Sequence, residues 1–256
     1  MDSASPTIAK AHCDDCFTGV KHSGDPVGKT VTIADVPTYV SEPPTAAMAS
    51  QNGLTKVVLF FADVYGPFFL NNQLLQDYFA SQGFFVVGLD YFLGDPVYIH
   101  TEEGFDRNAW LDKSHKQARE VTPKWLEEVR KKYGADSKYS AVGYCFGAPF
   151  VMDLGATDDI VAAAFAHPAF LNEDQFINLR KPLFLSCAES DFTFSLESRR
   201  RAENILAEAK AQYQFQVFSG VQHGFAVRGD PDVPDARWAK EESARGIIAW
   251  FARFSA

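Results

Sequence analysis

Near the middle of the chain stands Gly143-Tyr144-Cys145-Phe146-Gly147, a nucleophilic residue fenced by glycines. The apolar run Tyr139 to Val142 reads as a buried strand before it, and the residues after it have helical character. A Gly-x-nucleophile-x-Gly pentapeptide between strand and helix is a nucleophile elbow, a turn so tight that small residues must flank the reactive one. Here the nucleophile is a thiol. Its sulfur would lie at a helix N-terminus, where unpaired backbone N–H groups and the helix dipole favour a thiolate. Out of that context the same five residues would be a small buried cysteine in a turn.

A cysteine nucleophile needs a base, and the base needs an orienting acid. Asp191 follows the strand expected at Pro182 to Ala188, and His223 follows the one expected at Phe215 to Phe218. The chain order Cys145, Asp191, His223 is the nucleophile–acid–histidine order of α/β-hydrolases. Each residue lies just past a separate strand, so all three can converge on the carboxyl edge of a parallel sheet, where such sheets bind ligands. Glu189 is a competing acid; Asp191 is preferred because it lies further into the loop, with helix capping as its plain alternative. Acyl chemistry also needs donors for a developing oxyanion. The Phe146 N–H is one, and the Val64 N–H in Ala62-Asp63-Val64-Tyr65-Gly66 is the natural second. For Asp63, at the end of a buried strand, the dull explanation is capping.

Strand-like and helix-like segments alternate along the chain, the signature of an α/β fold around a mostly parallel sheet. A hairpin is expected over Thr30 to Val40, and strands at Lys56–Ala62, Phe84–Leu89, Val161–Ala166 and the two already named. Helices are expected around Leu74–Phe79, over Asp106–Lys132 with Pro123 marking a break or second start, at Leu196–Lys210 and at Arg237–Phe254. No internal repeat or linker divides the 256 residues, so one domain is expected, with residues 1–29 as an N-terminal extension packed on it.

The formal charge of −9 argues against nucleic acid or an anionic membrane as partner. No apolar run approaches a membrane span, and Met1-Asp2-Ser3-Ala4-Ser5-Pro6 has no basic start or apolar core of a secretory signal. A cytoplasmic setting is the expectation, with the four cysteines as thiols. Cys13 and Cys16 have the spacing of half a zinc site or a redox motif, but a second pair and a surrounding β-α-β unit are missing. No metal or cofactor is therefore expected. Cys187 reads as core. His167 ends a strand on the catalytic edge and reads as a structural hydrogen-bonder; His12, His22, His100 and His115 default to the surface. Phe68, Phe69, Tyr91, Phe92, Tyr144 and Phe146 lie near strand ends and offer either an aromatic pocket or core. A monomer is the default, with a homodimer left open.

Taken together, Gly143-Tyr144-Cys145-Phe146-Gly147-Ala148, the Asp191 loop, His223-Gly224-Phe225-Ala226-Val227-Arg228 and Asp63-Val64-Tyr65-Gly66 resemble the dienelactone hydrolase family. The likeness runs from about Val31 to the C-terminal helix, and the Cys13/Cys16 region before His22–Gly28 looks like that of the family's fungal branch. The resemblance implies an α/β-hydrolase fold and a Cys-His-Asp triad that opens enol-lactones or activated esters through an acyl-thioenzyme, without metal or cofactor. It also implies substrate contacts from Asp63, Tyr65, Tyr91, Tyr144 and Arg228. In bacterial members a glutamate meets the resting thiol, where this chain has the shorter Asp63. Arginines there bind a substrate carboxylate; Arg228 is one counterpart, offset by a residue, and Arg107 a distant second. Three alternatives stay open: a thioesterase, acyltransferase or lactone-forming enzyme of a fungal pathway on the same triad; a catalytically silent binding member of the fold; and a class I glutamine amidotransferase, disfavoured because Gly224 and Phe225 stand where its acid would follow the histidine.

Overall fold

The computed structural model describes residues 5–45 and 54–256, so Met1 to Ala4 of the N-terminal stretch lie outside the described residues. Its strands are β1 (Thr7–Ala9), β2 (Lys29–Ile33), β3 (Val36–Ser41), β4 (Lys56–Phe61), β5 (Phe85–Leu89), β6 (Lys138–Tyr144), β7 (Ala162–Ala166), β8 (Leu171–Asn172), β9 (Leu183–Ser190) and β10 (Tyr213–Gln222). The helices are α1 (Leu70–Ser81), α2 (Arg107–Tyr133), α3 (Ala148–Gly155), α4 (Glu173–Ile177), α5 (Leu196–Glu208), α6 (Phe225–Arg228) and α7 (Pro234–Phe254). Eight strands form one sheet in the order β10-β9-β7-β6-β4-β5-β3-β2. The run from β10 to β5 is parallel, and the hairpin β2–β3 adds on antiparallel to β5. This is the mostly parallel sheet expected from the alternating elements, in the α/β-hydrolase arrangement that the resemblance implied.

The strand period of two sorts the core into two layers. Val57, Leu59 and Phe61 of β4 point to one face with Ala141, Phe165 and Leu185, beneath α2, α3 and α5. Val58 and Phe60 point to the other with Val142, Ala164 and Phe184, beneath α1 and α7. Because both faces of the central strands are covered, those strands read as unbroken apolar runs. The longest helix corrects one expectation: α2 continues through Pro123 without a break. A mid-helix proline costs roughly 3 kcal/mol, but Trp110, Ala118, Trp125 and Val129 anchor both halves on the sheet. The Thr122 hydroxyl also donates to the Ala118 carbonyl at 2.6 Å. Packing of one long apolar stripe outweighs the local defect.

Strand β6 lies between β4 and β7, so the turn after it is held from both sides. A Cβ on Gly147 would stand 2.1 Å from the Phe61 carbonyl oxygen, and one on Gly143 would stand 2.6 Å from the Gly147 carbonyl oxygen. Both contacts are with backbone, which cannot give way. Gly147→Ala should therefore cost about 1–3 kcal/mol of stability through overpacking, read as a lower urea midpoint. An unchanged midpoint would show that the elbow can shift away from β4.

Candidate active site

Cys145 has φ +48°, in the left-handed region, which a side chain with a Cβ adopts only when its surroundings impose it. The imposing groups are the close backbone approaches at Gly143 and Gly147, together with the first turn of α3. The Cys145 carbonyl accepts from the Ala169 N–H at 3.2 Å, tying the elbow to the loop after β7. The residue is fully buried. Phe146, the expected oxyanion donor after it, packs its ring on His115 at 4.2 Å and on Phe92 at 5.1 Å. Val64, the second expected donor, is buried just past β4, and its carbonyl accepts from the Val97 N–H at 3.0 Å.

Strands β9 and β10 are longer than expected, and their ends bring Asp191 and His223 together. Nδ1 of His223 lies 3.0 and 3.1 Å from the two Asp191 carboxylate oxygens. Asp191 Oδ1 also accepts from the Thr193 and Phe194 N–H groups at 2.9 and 3.2 Å and from the Thr193 hydroxyl at 2.7 Å. The carboxylate thus closes the Thr193–Phe194 turn and holds the imidazole at once, while Ser195, not Asp191, caps α5. Burial pulls the His223 imidazole down, but the Asp191 carboxylate and the Cys16 sulfur outweigh it and hold the pKa well above 6.5. Burial likewise pushes Asp191 up, yet the His223 contact and the Thr193 hydroxyl leave it below the ordinary carboxylate value. Glu189 is exposed and accepts from the Gly220 N–H at 3.0 Å, away from the imidazole.

The sequence did not point to Cys16 as a site residue. The turn Asp14–Phe17 places its sulfur 3.6 Å from Cys145 Sγ and 3.9 Å from Cys13 Sγ. Cys13, Cys16 and the His223 imidazole bring their ligand atoms within 4.8 Å of one another. Cys16 thus meets both the elbow thiol and the imidazole. The only sequence signal was the Cys-x-x-Cys spacing; the partners lie more than a hundred residues downstream. His115 was also misplaced. It stacks on Phe146, packs edge-on to Phe170 at 4.3 Å, and burial drives its pKa down to about 4. His12, His22 and His100 are likewise half-buried: His22 Nε2 bonds the Gly229 carbonyl at 2.8 Å, and His100 lies between Asp95 and Glu102. An imidazole with two polar atoms pins loops together, a use invisible to local sequence. His167, expected as a structural hydrogen-bonder, is wholly buried with neither ring nitrogen hydrogen-bonded among the described residues. Its ring lies 4.9 Å from His223, and burial, then the His223 imidazole, pushes its pKa well below 6.5.

The expected substrate contacts divide. Tyr65 lines a cavity of about 540 Å³ with Phe17, Val97, Tyr98, Phe105 and Arg107, and its hydroxyl donates to the Phe17 carbonyl at 2.9 Å. Tyr91 and Tyr144 are core instead: Tyr91 donates to the Ala62 carbonyl, and the Tyr144 ring lies on Phe60. Phe60 belongs to the layer beneath α1 and α7, and the Tyr144 ring lies there, 5.9 Å from that of His167. Asp63 and Arg228 form a buried ion pair with each other. Asp63 Oδ1 also accepts from the Tyr65 N–H at 3.2 Å and the Asn72 amide at 2.9 Å, so both its oxygens are engaged away from Cys145. Arg228 donates to the Thr18 carbonyl at 2.8 Å and the Asp15 carbonyl at 3.1 Å. The arginine expected to hold a substrate carboxylate instead holds the N-terminal segment over the site. Arg228→Met would leave Asp63 buried without its cation, at a cost of about 3–5 kcal/mol, and free the backbone around Asp15–Thr18. A lowered urea midpoint with faster proteolysis in that segment is expected; an unchanged midpoint would show that Asp63 is satisfied without the arginine.

Residues 42–255 match the sequence profile of the Dienelactone hydrolase family. Dienlactone hydrolase 1 of Gibberella moniliformis is 36% identical over 97% of this chain and 96% of its own length. Hydrolase tropI of Talaromyces stipitatus is 34% identical over 93% of this chain and 95% of its own. The solved dienelactone hydrolase of Anabaena variabilis shares the fold, with TM-score 0.62 at 14% identity across 92% of this chain and 100% of that one. No helix among the described residues is long and apolar enough to cross a membrane. With the family profile spanning the sheet's parallel strands from β4 to β10 and the turns that carry Cys145, Asp191 and His223, and relatives a third identical along nearly their full length, the chain belongs to the dienelactone hydrolase family, hydrolases of the lactone and ester type.

Proposed function

We propose that the chain is a cysteine-dependent hydrolase of an activated ester or enol-lactone, with Cys145 as nucleophile, His223 as base and Asp191 as its orienting acid. The observation that carries this reading is the buried Asp191–His223 pair, with Nδ1 engaged at 3.0 Å; the Cys16 thiol lies against the imidazole, and the Cys145 sulfur, on strained backbone, is 3.6 Å from Cys16 Sγ. In the proposed cycle His223 takes the Cys145 proton as the sulfur adds to the substrate carbonyl, and the Phe146 and Val64 N–H groups donate to the oxyanion. Collapse expels the enolate, which takes the proton from His223, and leaves an acyl-thioenzyme. Water then gives its proton to His223, adds to the thioester and releases the acid, and the thiol recovers its proton. Thiols suit this chemistry where the leaving group is stabilised.

Arg228 is already committed to Asp63 and to backbone carbonyls, which favours a substrate without a carboxylate at that position. The aromatic cavity bounded by Phe17, Tyr65 and Tyr98 serves as the entrance: Phe17 both lines it and packs against the Cys16–Cys145 cluster. Cys145 is reached when the Asp14–Phe17 turn moves aside. The whole chain works as one domain, with its N-terminal extension as the cover. Hydrolysis of a series of aryl esters and enol-lactones tests the proposal. Cys145→Ala and His223→Ala should each lower kcat by at least ~10³-fold with folding retained; activity surviving Cys145→Ala would assign the chemistry elsewhere.

A further inference from the structure

The residues Cys13-Asp14-Asp15-Cys16 fold into a single tight turn. The Cys16 N–H donates to the Cys13 carbonyl at 3.0 Å, and the Cys13 N–H points back to Cys16 Sγ at 3.3 Å. Their sulfurs stand 3.9 Å apart. Tetrahedral zinc holds sulfur at about 2.3 Å and imidazole nitrogen at about 2.0–2.1 Å, which requires sulfur–sulfur edges of roughly 3.8 Å and sulfur–nitrogen edges of roughly 3.5 Å. The cysteine pair already has that edge. The imidazole of His223 lies within 4.8 Å of both sulfurs, about an ångström from closing the remaining two. A further sulfur, Cys145 Sγ, stands 3.6 Å from Cys16 Sγ, again close to a tetrahedral edge.

We infer that Cys13, Cys16 and His223 form a binding site for a thiophilic divalent cation such as zinc, and that its occupation switches the hydrolase off. Three observations beyond the spacing point to a ligand. Nε2 of His223, in a wholly buried side chain, has no oxygen or nitrogen partner among the described residues and faces the Cys16 sulfur. Nδ1 of the same ring is held by Asp191 at 3.0 Å, the carboxylate–histidine arrangement that orients a metal-binding imidazole and raises its basicity. The turn is also fixed from behind by Arg228, which donates to the Asp15 and Thr18 carbonyls, and by Tyr65, which donates to the Phe17 carbonyl. Binding displaces the ligands' protons to solvent, two from the thiols and the Nε2 proton of the imidazole; two thiolates, a neutral imidazole and M²⁺ then sum to zero charge. The cation takes the Nε2 lone pair and leaves Cys145 without its base. The site itself rests on atom positions alone; the inhibition rests on the triad proposed above.

The test uses the full chain, reduced and freed of metal by chelator. Cobalt(II) is titrated in anaerobically, then zinc is added in competition with a chromophoric chelator. Expected are one equivalent of tetrahedral cobalt with sulfur-to-metal charge-transfer bands, and displacement of cobalt by zinc. Cys13→Ala and Cys16→Ala should each weaken zinc binding at least ~100-fold, and Asp191→Asn, which leaves all three ligands in place, by roughly 10–100-fold. Cys187→Ala, whose thiol is buried in β9, should bind as wild type. Absence of charge-transfer bands, or wild-type affinity in the Cys13→Ala/Cys16→Ala double variant, would overturn the site. Stoichiometric binding with undiminished ester hydrolysis would overturn the inhibition. If hydrolysis proves independent of Cys145 while the cobalt spectrum persists, the triad fails and the metal site stands.

Discussion

The left-handed backbone at Cys145 is the constraint around which the site is arranged. A residue with φ +48° persists only where its neighbours leave no alternative, and here they are two backbone segments packed too closely for any side chain. Gly147 lies against the carbonyl of β4, and Gly143 lies under Gly147 itself. That closeness sets the thiol at the carboxyl edge of the sheet, at the start of α3. The same edge receives Asp191 from β9 and His223 from β10, two strands that pair in register from Tyr213 with Leu183 to Phe218 with Ala188. The relative position of acid and imidazole is thus fixed by sheet hydrogen bonds as well as by their own contact.

A second buried interaction governs access. The Asp63–Arg228 pair joins the end of β4 to α6, and the arginine's remaining donors hold the backbone at Asp15 and Thr18. The carboxylate desolvated at the end of β4 and the cation after the histidine satisfy each other, and together they clamp the N-terminal segment. Strand β1 adds to this by pairing with β8, and the Lys10 N–H donates to the Thr193 carbonyl at 2.7 Å beside the acid. The extension is therefore part of the site's wall. In the proposed cycle a ligand reaches Cys145 when the turn around Cys16 yields, which makes release of that turn a step of the turnover.

Much of this was legible in the sequence, because the signals were local and strong. Gly143 and Gly147 around Cys145, and apolar runs each followed by a polar residue, place Cys145, Asp191 and His223 on one edge by topology alone. The preference for Asp191 over Glu189 followed from loop position, and the structure puts Asp191 on the imidazole. What could not be read depended on distant pairing. Asp63 and Arg228 each looked like a ligand contact until they met across 165 residues of chain. Tyr91 and Tyr144 read equally as pocket or core, since aromatic rings near strand ends serve either use. Cys16 carried only a two-residue spacing, while the residues that give it meaning arrive from β6 and β10. Pro123 was read as a break because local propensity ignores the stripe that α2 lays on the sheet.

The central claim is that Cys145 becomes covalently acylated with His223 and Asp191 as its partners, and intact-protein mass spectrometry during turnover of an activated ester tests it most directly. The account predicts a transient mass increase equal to the acyl group, mapped by peptide analysis to Cys145 and longer-lived in a His223→Ala background. An acyl group found instead on Cys16 or Cys13, or steady turnover with no adduct and Cys145 still free to alkylation, would contradict it.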